Sequence, residues 1–214
     1  MTSQELSYNQ KLQKWDTFFY ENCRTVAKGS SCLSRKIGAV LVRDKSILST
    51  GYNGPPRGVP HCNERYLIDP ALQELLTQDG KTPCDEDINT RCPRYIAGFK
   101  SGQGLEWCVA GHAERNALIN AARAGIKTKN CKVYMDCGVP CTPCMVELIN
   151  AGIEEIIVTK MTFYDLSADY LLRNSDIKIR LYSHFCEHKG VIPKEMLRGE
   201  RGGYCSDCGM YLGV

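Results

Sequence analysis

The stretch that decides the fold lies at residues 112–159 and contains four segments: HAERNALINAARAG at 112–125, KVYM at 132–135, PCTPCMVELINAG at 140–152 and EIIVT at 155–159. The first and third have apolar residues at helical spacing and end at a glycine, whereas the second and fourth are short apolar runs typical of buried strands. Residues 165–174 and 177–182 add a further helix and strand. Strands that alternate with helices of about ten residues predict a layered α/β sheet.

The part of the chain before this stretch predicts one long helix and a strand hairpin. Residues 6–28 have apolar side chains at helix-like intervals and contain no Gly or Pro, and Gly29 provides a stop. Two short apolar runs at 37–42 and 46–50 are separated by a few polar residues. This pattern is typical of two buried strands joined by a turn.

Two segments depart from regular alternation. Residues 53–111 hold many Gly, Pro and Cys residues and one helix-like piece at 70–78. A stretch this long with little regular structure needs something to pin it. Residues 184–214 are again rich in Gly and Cys. We therefore predict one domain over residues 1–183 with a Cys-rich insertion at about 53–111, followed by a small tail.

Composition and charge exclude several classes of protein. The 214 residues include 27 Lys and Arg against 24 Asp and Glu, and 43% are hydrophobic, which excludes a disordered or fibrous chain. There is no apolar run of about 18 residues and no secretory signal pattern, so we expect a cytoplasmic protein without a membrane partner. A net charge of +3 spread along the chain argues against a nucleic-acid-binding surface.

The cysteine content points to metal. The chain has 13 Cys among 214 residues, an odd number that cannot all pair. Without an export signal, such a content indicates metal sites more often than disulfides.

The chemistry is concentrated at the starts of two predicted helices. His112 and Glu114 open the first, and Cys141 and Cys144 open the second after Pro140. Zinc takes thiolate sulfur and imidazole nitrogen in tetrahedral geometry, and a catalytic site leaves the fourth position to water. Helix N-termini favour anions and therefore thiolates. Glu114 lies two residues from His112, so it faces the free position, and we assign it as the catalytic residue.

This combination is a specific signal. A His-x-Glu followed by Pro-Cys-x-x-Cys, each opening a helix with a strand between them, is the signature of the zinc-dependent base deaminases. In such deaminases the ion lowers the pKa of its bound water from about 15.7 toward about 7, and the hydroxide attacks the base, at carbon 4 where the base is cytosine. Glu114 moves protons to ring nitrogen 3 and to the leaving amine. The alternative is a structural zinc knuckle with Cys137 as fourth ligand, which would not need Glu114.

Further segments resemble the deoxycytidylate deaminase family. They are Ser31-Cys32, Gly38-Ala39-Val40, TGYNGPPRGVPHC at 50–62 and the helix at 112–125, in a match from about residue 10 to about residue 182. The resemblance implies a three-layer α/β/α fold of the cytidine-deaminase type. It implies zinc-dependent deamination of dCMP to dUMP, which feeds dTMP synthesis. It also implies a homo-oligomer, a hexamer or a dimer, which in many members is activated by dCTP and inhibited by dTTP.

Several residues are candidates for holding a nucleotide. By resemblance, Asn53 in the GYNG turn should hold the deoxyribose hydroxyl and the base edge. The other substrate-binding candidates are Ala113, Arg115 and Tyr164. Candidates for a phosphate or an effector are Arg35, Lys36 and Arg123, because a phosphate favours an Arg fork. VYMDCGVPC at 133–141 is one residue longer than the family pattern, in a segment that lines the base pocket in relatives, and this bears on substrate identity.

Two further cysteine groups predict structural zinc. Cys32 and Cys62 fall where family members place two ligands of a structural ion. The set is completed by the best remaining ligands of the insertion, Cys92 and Cys108, with Cys84 or His61 as a substitute. Four thiolates close a site and leave no water, which gives this ion a folding role. The alternative is a set of buried free thiols.

The tail carries a third candidate set, Cys186, His188, Cys205 and Cys208. Its Cys-x-x-Cys-Gly segment is the turn found in zinc ribbons, because Gly lets backbone N–H groups face the sulfur. The alternative is a tail with incidental thiols. The predicted cofactors are therefore one catalytic zinc and one or two structural zinc ions.

Three hypotheses for function follow. The first is a deaminase of a small nucleotide substrate, dCMP or dCTP. The second is a deaminase of bases in nucleic acid, of the tRNA adenosine type, which shares the zinc motif but not the GYNGPP turn or the Cys-rich loop. The third is a zinc-stabilised, non-catalytic binding module, against which the presence of Glu114 argues.

Overall fold

The helices and strands follow one another along most of the chain. The computed structural model describes residues 3–78, 80, 82–163, 165–182, 191–195, 201–205 and 211–213, with only the backbone described for 3–10 and for the last three segments. The helices are α1 (Ser3–Ala27), α2 (Cys62–Ile68), α3 (Pro70–Thr77), α4 (Asp85–Thr90), α5 (Pro93–Ile96), α6 (Ala113–Arg123), α7 (Thr142–Asn150) and α8 (Leu166–Arg173). The strands are β1 (Gly38–Arg43), β2 (Ser46–Tyr52), β3 (Lys132–Met135), β4 (Glu155–Val158), β5 (Lys178–Leu181), β6 (Val191–Glu195), β7 (Arg201–Cys205) and β8 (Tyr211–Gly213).

Five strands form a mixed sheet in the order β2-β1-β3-β4-β5. Strand β1 pairs antiparallel with β2 and β3, whereas β3, β4 and β5 run parallel. The β1–β2 turn places Asp44 and Lys45 at φ 50° and 61°, as a two-residue hairpin turn requires. Both the predicted hairpin and the predicted alternation after residue 112 are confirmed.

The sheet separates two apolar layers, because neighbouring residues of each strand point to opposite faces. Val40 and Tyr134 pack with Phe19 of α1 on one face. Leu41 and Val133 belong to the cluster on the other face, which includes apolar residues of α6 and α7. The α/β layered sheet and the three-layer α/β/α fold are therefore confirmed.

A buried ion pair fastens α1 to the far edge of the sheet. Asp16 is fully buried, and its Oδ1 accepts hydrogen bonds from Arg180 Nη2 at 2.9 Å and from Tyr134 Oη at 3.2 Å. Arg180 Nε also donates to Glu155 Oε1 at 3.0 Å. These contacts tie α1 to β3, β4 and β5.

Removal of the cation should destabilise the domain strongly. Arg180→Met removes the cation that pairs with the buried Asp16 carboxylate, and we expect a loss of about 3–5 kcal/mol in the free energy of unfolding measured with urea. The control is Arg173→Met, which breaks a pair with Asp169 in which the arginine side chain is 51% exposed, and should cost under about 1 kcal/mol. Equal losses in the two variants would contradict an anchoring role for Arg180.

The insertion holds more helix than its sequence indicates. The helix-like piece at 70–78 is confirmed as α3, but the expectation of little other regular structure was wrong, since α2, α4 and α5 also form. Local caps explain these short helices: Asp69 accepts hydrogen bonds from two backbone N–H groups of α3, and Pro93 occupies the first turn of α5. Helices this short show no apolar period.

Strands β6, β7 and β8 form a separate antiparallel sheet in that order. Of the predicted tail ligands, Cys186, His188 and Cys208 lie outside the described residues, and Cys205 ends β7 with only its backbone described. The tail zinc site stays a prediction. Among the described residues, no helix is long and apolar enough to cross a bilayer.

Candidate active site

Two helix starts bring a histidine and two cysteines together. His112 is the N-cap residue of α6, and Cys141 is the N-cap residue of α7. The Nδ1 atom of His112 lies 3.4 Å from Cys141 Sγ and 3.2 Å from Cys144 Sγ, and the two sulfurs are 3.4 Å apart. Pro143 fits the first turn of α7, where its missing N–H has no partner to lose.

These three residues fit a zinc ion. Bond lengths of about 2.3 Å to sulfur and about 2.0 Å to nitrogen place tetrahedral ligand atoms roughly 3.5–3.8 Å apart. The observed distances come within roughly 0.5 Å of these values. Among the residues whose side chains are described, this is the group of three or more His, Cys, Asp or Glu whose ligand atoms all lie within 4.8 Å of one another.

Cys137 does not complete a four-ligand site. It is not part of the metal-binding group, and its thiol donates a hydrogen bond to the Gly138 carbonyl at 3.5 Å. The structural-knuckle alternative therefore lacks its fourth ligand among the described side chains.

Glu114 lies beside the ligand set and is buried. It is 4% exposed, and its Oε1 is 3.9 Å from His112 Nδ1. Burial raises the pKa of this carboxyl above its ordinary value. A buried carboxyl with a raised pKa beside a metal-binding group is suited to carry protons during a reaction.

The ligand cluster favours one thiolate. The hydrogen bond between the two thiols lowers the pKa of Cys141 well below its ordinary value, and the hydrogen bond with His112 adds to this. The same contact raises the pKa of Cys144. The hydrogen bond with Cys141 raises the pKa of His112. Because these groups bind a metal in their deprotonated forms, a cation that binds there must displace the protons that they hold.

Asp165 fixes the start of α7, and the sequence motifs did not reveal it. Its carboxylate accepts hydrogen bonds from the backbone N–H of Thr142 at 3.0 Å and from the Thr142 hydroxyl. It also caps α8 by accepting from Ala168 N at 2.8 Å. Because Thr142 follows Cys141, one carboxylate orients the ligand-bearing turn from the next helix. An Asp before a helical run was the available signal.

Loss of this carboxylate should weaken metal binding. We expect Asp165→Ala to lower zinc affinity by about tenfold or more, because outer residues that orient ligands contribute on that scale. Competition with a chelator measures the affinity. The control is Asp169→Ala, which removes a carboxylate from the same helix and, among the described residues, breaks its pair with Arg173. Unchanged zinc affinity in Asp165→Ala would contradict the orienting role.

Asn53 is buried and holds the neighbouring loop. Its Oδ1 accepts from Ile37 N at 2.8 Å and from Ser30 Oγ at 2.9 Å, while its Nδ2 donates to the Arg35 carbonyl at 2.8 Å. The amide has a second hydrogen that none of these contacts uses. Asn53, which we predicted to bind substrate, therefore stabilises the loop, and its described contacts leave one amide hydrogen available for a ligand.

The other residues predicted to contact substrate, phosphate or effector lie in several different environments. Ala113 is buried in the first turn of α6. Arg115 pairs with Glu147 of α7 at 2.8 Å and ties the two helices together. Tyr164 lies outside the described residues. The candidates for a phosphate or an effector, Arg35, Lys36 and Arg123, are exposed.

The Cys62 thiol lies near the other three thiols of the predicted structural site. Burial raises the pKa of the Cys62 thiol to about 11, and the nearby thiols of Cys92, Cys32 and Cys108 add to this. They are not within the mutual 4.8 Å that the active-site group meets. The two proposed substitutes have other contacts: Cys84 Sγ lies 3.5 Å from Asp87 Oδ2, and His61 Nδ1 lies 2.6 Å from Ser31 Oγ.

The sequence profile described as the cytidine and deoxycytidylate deaminase zinc-binding region matches residues 13–160. The deoxycytidylate deaminase of Schizosaccharomyces pombe is 32% identical over 177 residues, which are 83% of this chain and 47% of that protein. The deoxycytidylate deaminase of Enterobacteria phage T2 is 30% identical over 163 residues, covering 72% of this chain and 85% of that protein.

The Saccharomyces cerevisiae deoxycytidylate deaminase is 29% identical over 83% of this chain and 47% of its own length, so the chain spans about half the length of the two yeast relatives. Among solved structures, the dCMP deaminase of cyanophage S-TIM5 in complex with dCMP and dUMP is similar, with a TM-score of 0.51 and 18% identity over 85% of this chain and 98% of that chain. This likeness shows a shared fold.

Proposed function

Because the chain belongs to the cytidine and deoxycytidylate deaminase family, we propose that it is a zinc-dependent hydrolase that converts dCMP and water to dUMP and ammonia. The observation that carries the proposal is the triangle of His112, Cys141 and Cys144 with the buried Glu114 beside it. A purely structural site would need no buried carboxyl at that point.

The residues divide the chemistry between them. His112, Cys141 and Cys144 would hold the zinc, and zinc in such a site supplies the Lewis acidity that activates water. Glu114 accepts a proton from the attacking water as its oxygen bonds to carbon 4 of the cytosine ring. Glu114 delivers this proton to ring nitrogen 3, then takes the remaining proton of the added oxygen and delivers it to the amino group. The carbon–nitrogen bond breaks, ammonia leaves, and the ring keeps the oxygen of the water.

Three observations support a deoxycytidine nucleotide as substrate. The relatives named above are deoxycytidylate deaminases, and the solved cyanophage enzyme was complexed with dCMP and dUMP. The Asn53 amide hydrogen that its described contacts leave unused can be donated to a sugar hydroxyl. Arg35 and Lys36 are exposed on the loop that Asn53 holds, and they supply charge for a phosphate.

A comparison of substrates tests this function. The purified chain with zinc is incubated with dCMP, dCTP, deoxycytidine and a tRNA fragment, and the loss of the amino group is followed by absorbance. We expect dCMP to react fastest. A preference for dCTP would identify dCTP as the substrate instead. Reaction of the tRNA fragment alone would identify the chain as a deaminase of bases in nucleic acid. No reaction with any of the four would favour a non-catalytic binding module.

The same proposal includes structural zinc. The mutual influence of the thiols around Cys62 supports an ion held by Cys32, Cys62, Cys92 and Cys108, and the Cys-rich tail supports one on Cys186, His188, Cys205 and Cys208. We expect about three zinc ions per chain by elemental analysis. Cys62→Ser should remove one ion, and Cys208→Ser another. A zinc content unchanged by either substitution would contradict the corresponding site.

Assembly, regulation and compartment complete the proposal. We propose a homo-oligomer, a hexamer or a dimer, that responds to dCTP and dTTP, with Arg123 as an exposed candidate for effector or subunit contact. A cytoplasmic location is supported by the described cysteines, which are free thiols. Sedimentation with and without dCTP, together with initial rates, tests assembly and regulation.

A further inference from the structure

Asn116 joins the catalytic turn of α6 to the strand that leads to Asn53. Its Nδ2 donates a hydrogen bond of 2.7 Å to the carbonyl of Tyr52, the residue before Asn53. Its backbone N–H donates to the His112 carbonyl at 3.0 Å, which closes the first turn of the helix. One residue therefore contacts both the metal side and the substrate side of the site.

A second clamp lies on the other side of Asn53. Gly54 and Gly111 exchange two backbone hydrogen bonds, of 3.1 and 2.8 Å. The side chain of Asn116 fills the space beside Gly111, where an added Cβ would lie 2.8 Å from Asn116 Oδ1. The residues on both sides of Asn53, Tyr52 and Gly54, are therefore hydrogen-bonded to the segment around His112.

We propose that Asn116 is a positioning residue, which fixes the separation between Asn53 and the turn that carries His112 and Glu114. It acts through the Tyr52 carbonyl and does not touch the substrate. The inference rests on the proposed function, because it takes Asn53 as the substrate side and Glu114 as the reacting side. A displacement of about 1 Å between such groups costs about a hundredfold in rate.

The chain provides a matched control one turn further along α6. Asn120 Nδ2 donates to the Thr50 carbonyl at 2.8 Å, so it makes the same kind of bond from the same helix to the same strand. Thr50 is further from Asn53 along the strand than Tyr52. Removal of either amide deletes one hydrogen bond between α6 and β2, and removal of Asn120 also deletes the bond that its Oδ1 accepts from Arg57 Nη2 at 2.9 Å. Of the two side chains, that of Asn116 lies beside Gly111.

The experiment compares Asn116→Ala with Asn120→Ala in the zinc-loaded full chain. Thermal unfolding should shift by similar amounts in both. For Asn116→Ala we expect kcat/KM for dCMP to fall by about 10–100-fold. We also expect the rate of zinc transfer to a chromogenic chelator to rise by about tenfold. Asn120→Ala should stay within about twofold of the unsubstituted chain in both readouts. If Asn116→Ala does not accumulate, Asn116→Ser, which keeps a hydroxyl donor, replaces it. We then still expect a larger effect on kcat/KM and on zinc transfer than in Asn120→Ala.

Equal effects of the two substitutions on kcat/KM and on zinc transfer would overturn the positioning role. The unsubstituted chain in the same assay separates the two proposals. If it fails to deaminate dCMP, the proposed function fails, and zinc transfer still decides the role of Asn116: equal transfer rates in the two variants overturn it.

Discussion

Glu114→Gln should retain zinc and lose at least about a hundredfold in kcat, the lower end of what a general acid–base group contributes. The amide keeps the size of the side chain, but it cannot accept the proton of the attacking water or deliver it to the ring. The ligand atoms of His112, Cys141 and Cys144 are untouched, so metal content should not change. Elemental analysis and steady-state kinetics with dCMP measure the two quantities.

A carboxylate outside the site gives the control for this change. Glu154 is exposed next to β4, and Glu154→Gln should leave kcat and zinc content unaltered. Near-normal turnover in Glu114→Gln would remove the carboxyl from the mechanism. Loss of zinc from that variant would instead make Glu114 a ligand.

Gly51→Ala should impair catalysis because the added methyl group would collide with the backbone of α6, the helix that carries Glu114. A Cβ at this position would lie 2.2 Å from the Ala113 carbonyl oxygen and 2.2 Å from the Ala117 nitrogen. Both are backbone atoms of α6, so the helix start must move away from β2. We expect a loss of about 3 kcal/mol in unfolding free energy, at the upper end for overpacking, and at least about a hundredfold in kcat/KM. Urea unfolding and kinetics measure these.

The matched glycine is Gly54, three residues further along the chain. Among the described residues, a Cβ at Gly54 would meet Ser31 Oγ at 3.5 Å, which is ordinary contact. Gly54→Ala keeps its backbone hydrogen bonds with Gly111 and should change kcat/KM by less than about threefold. If the two alanine variants were equally impaired, close packing of α6 on Gly51 would not explain the effect.

The elements after residue 112 could be predicted because their signals are periodic and end at glycines. Gly125 and Gly152 have φ of 68° and 70°, as residues that follow a helix often do. The short helices of the insertion could not, because their caps, such as Asp69 and Pro93, act over a few residues. A cap predicts a helix only when an apolar period follows it.

The proximity of His112, Cys141, Cys144 and Glu114 could be predicted because zinc chemistry fixes both residue type and spacing. Asp165 and Asn116 could not, because their partners are backbone groups far away in the sequence, Thr142 N and the Tyr52 carbonyl. Arg115 stays a predicted substrate contact, and its pair with Glu147 is one that the sequence did not indicate. Such pairings depend on packing that a single sequence does not reveal.

The central claim is that the site of His112, Cys141, Cys144 and Glu114 adds the oxygen of water to carbon 4 of the base and releases its amino group. The most direct measurement is mass spectrometry of the product formed from dCMP in water enriched in heavy oxygen. We predict dUMP that carries one heavy oxygen atom, with one ammonia released for each dUMP. Unlabelled dUMP, or dCMP recovered unchanged with the zinc-loaded chain, would contradict the claim.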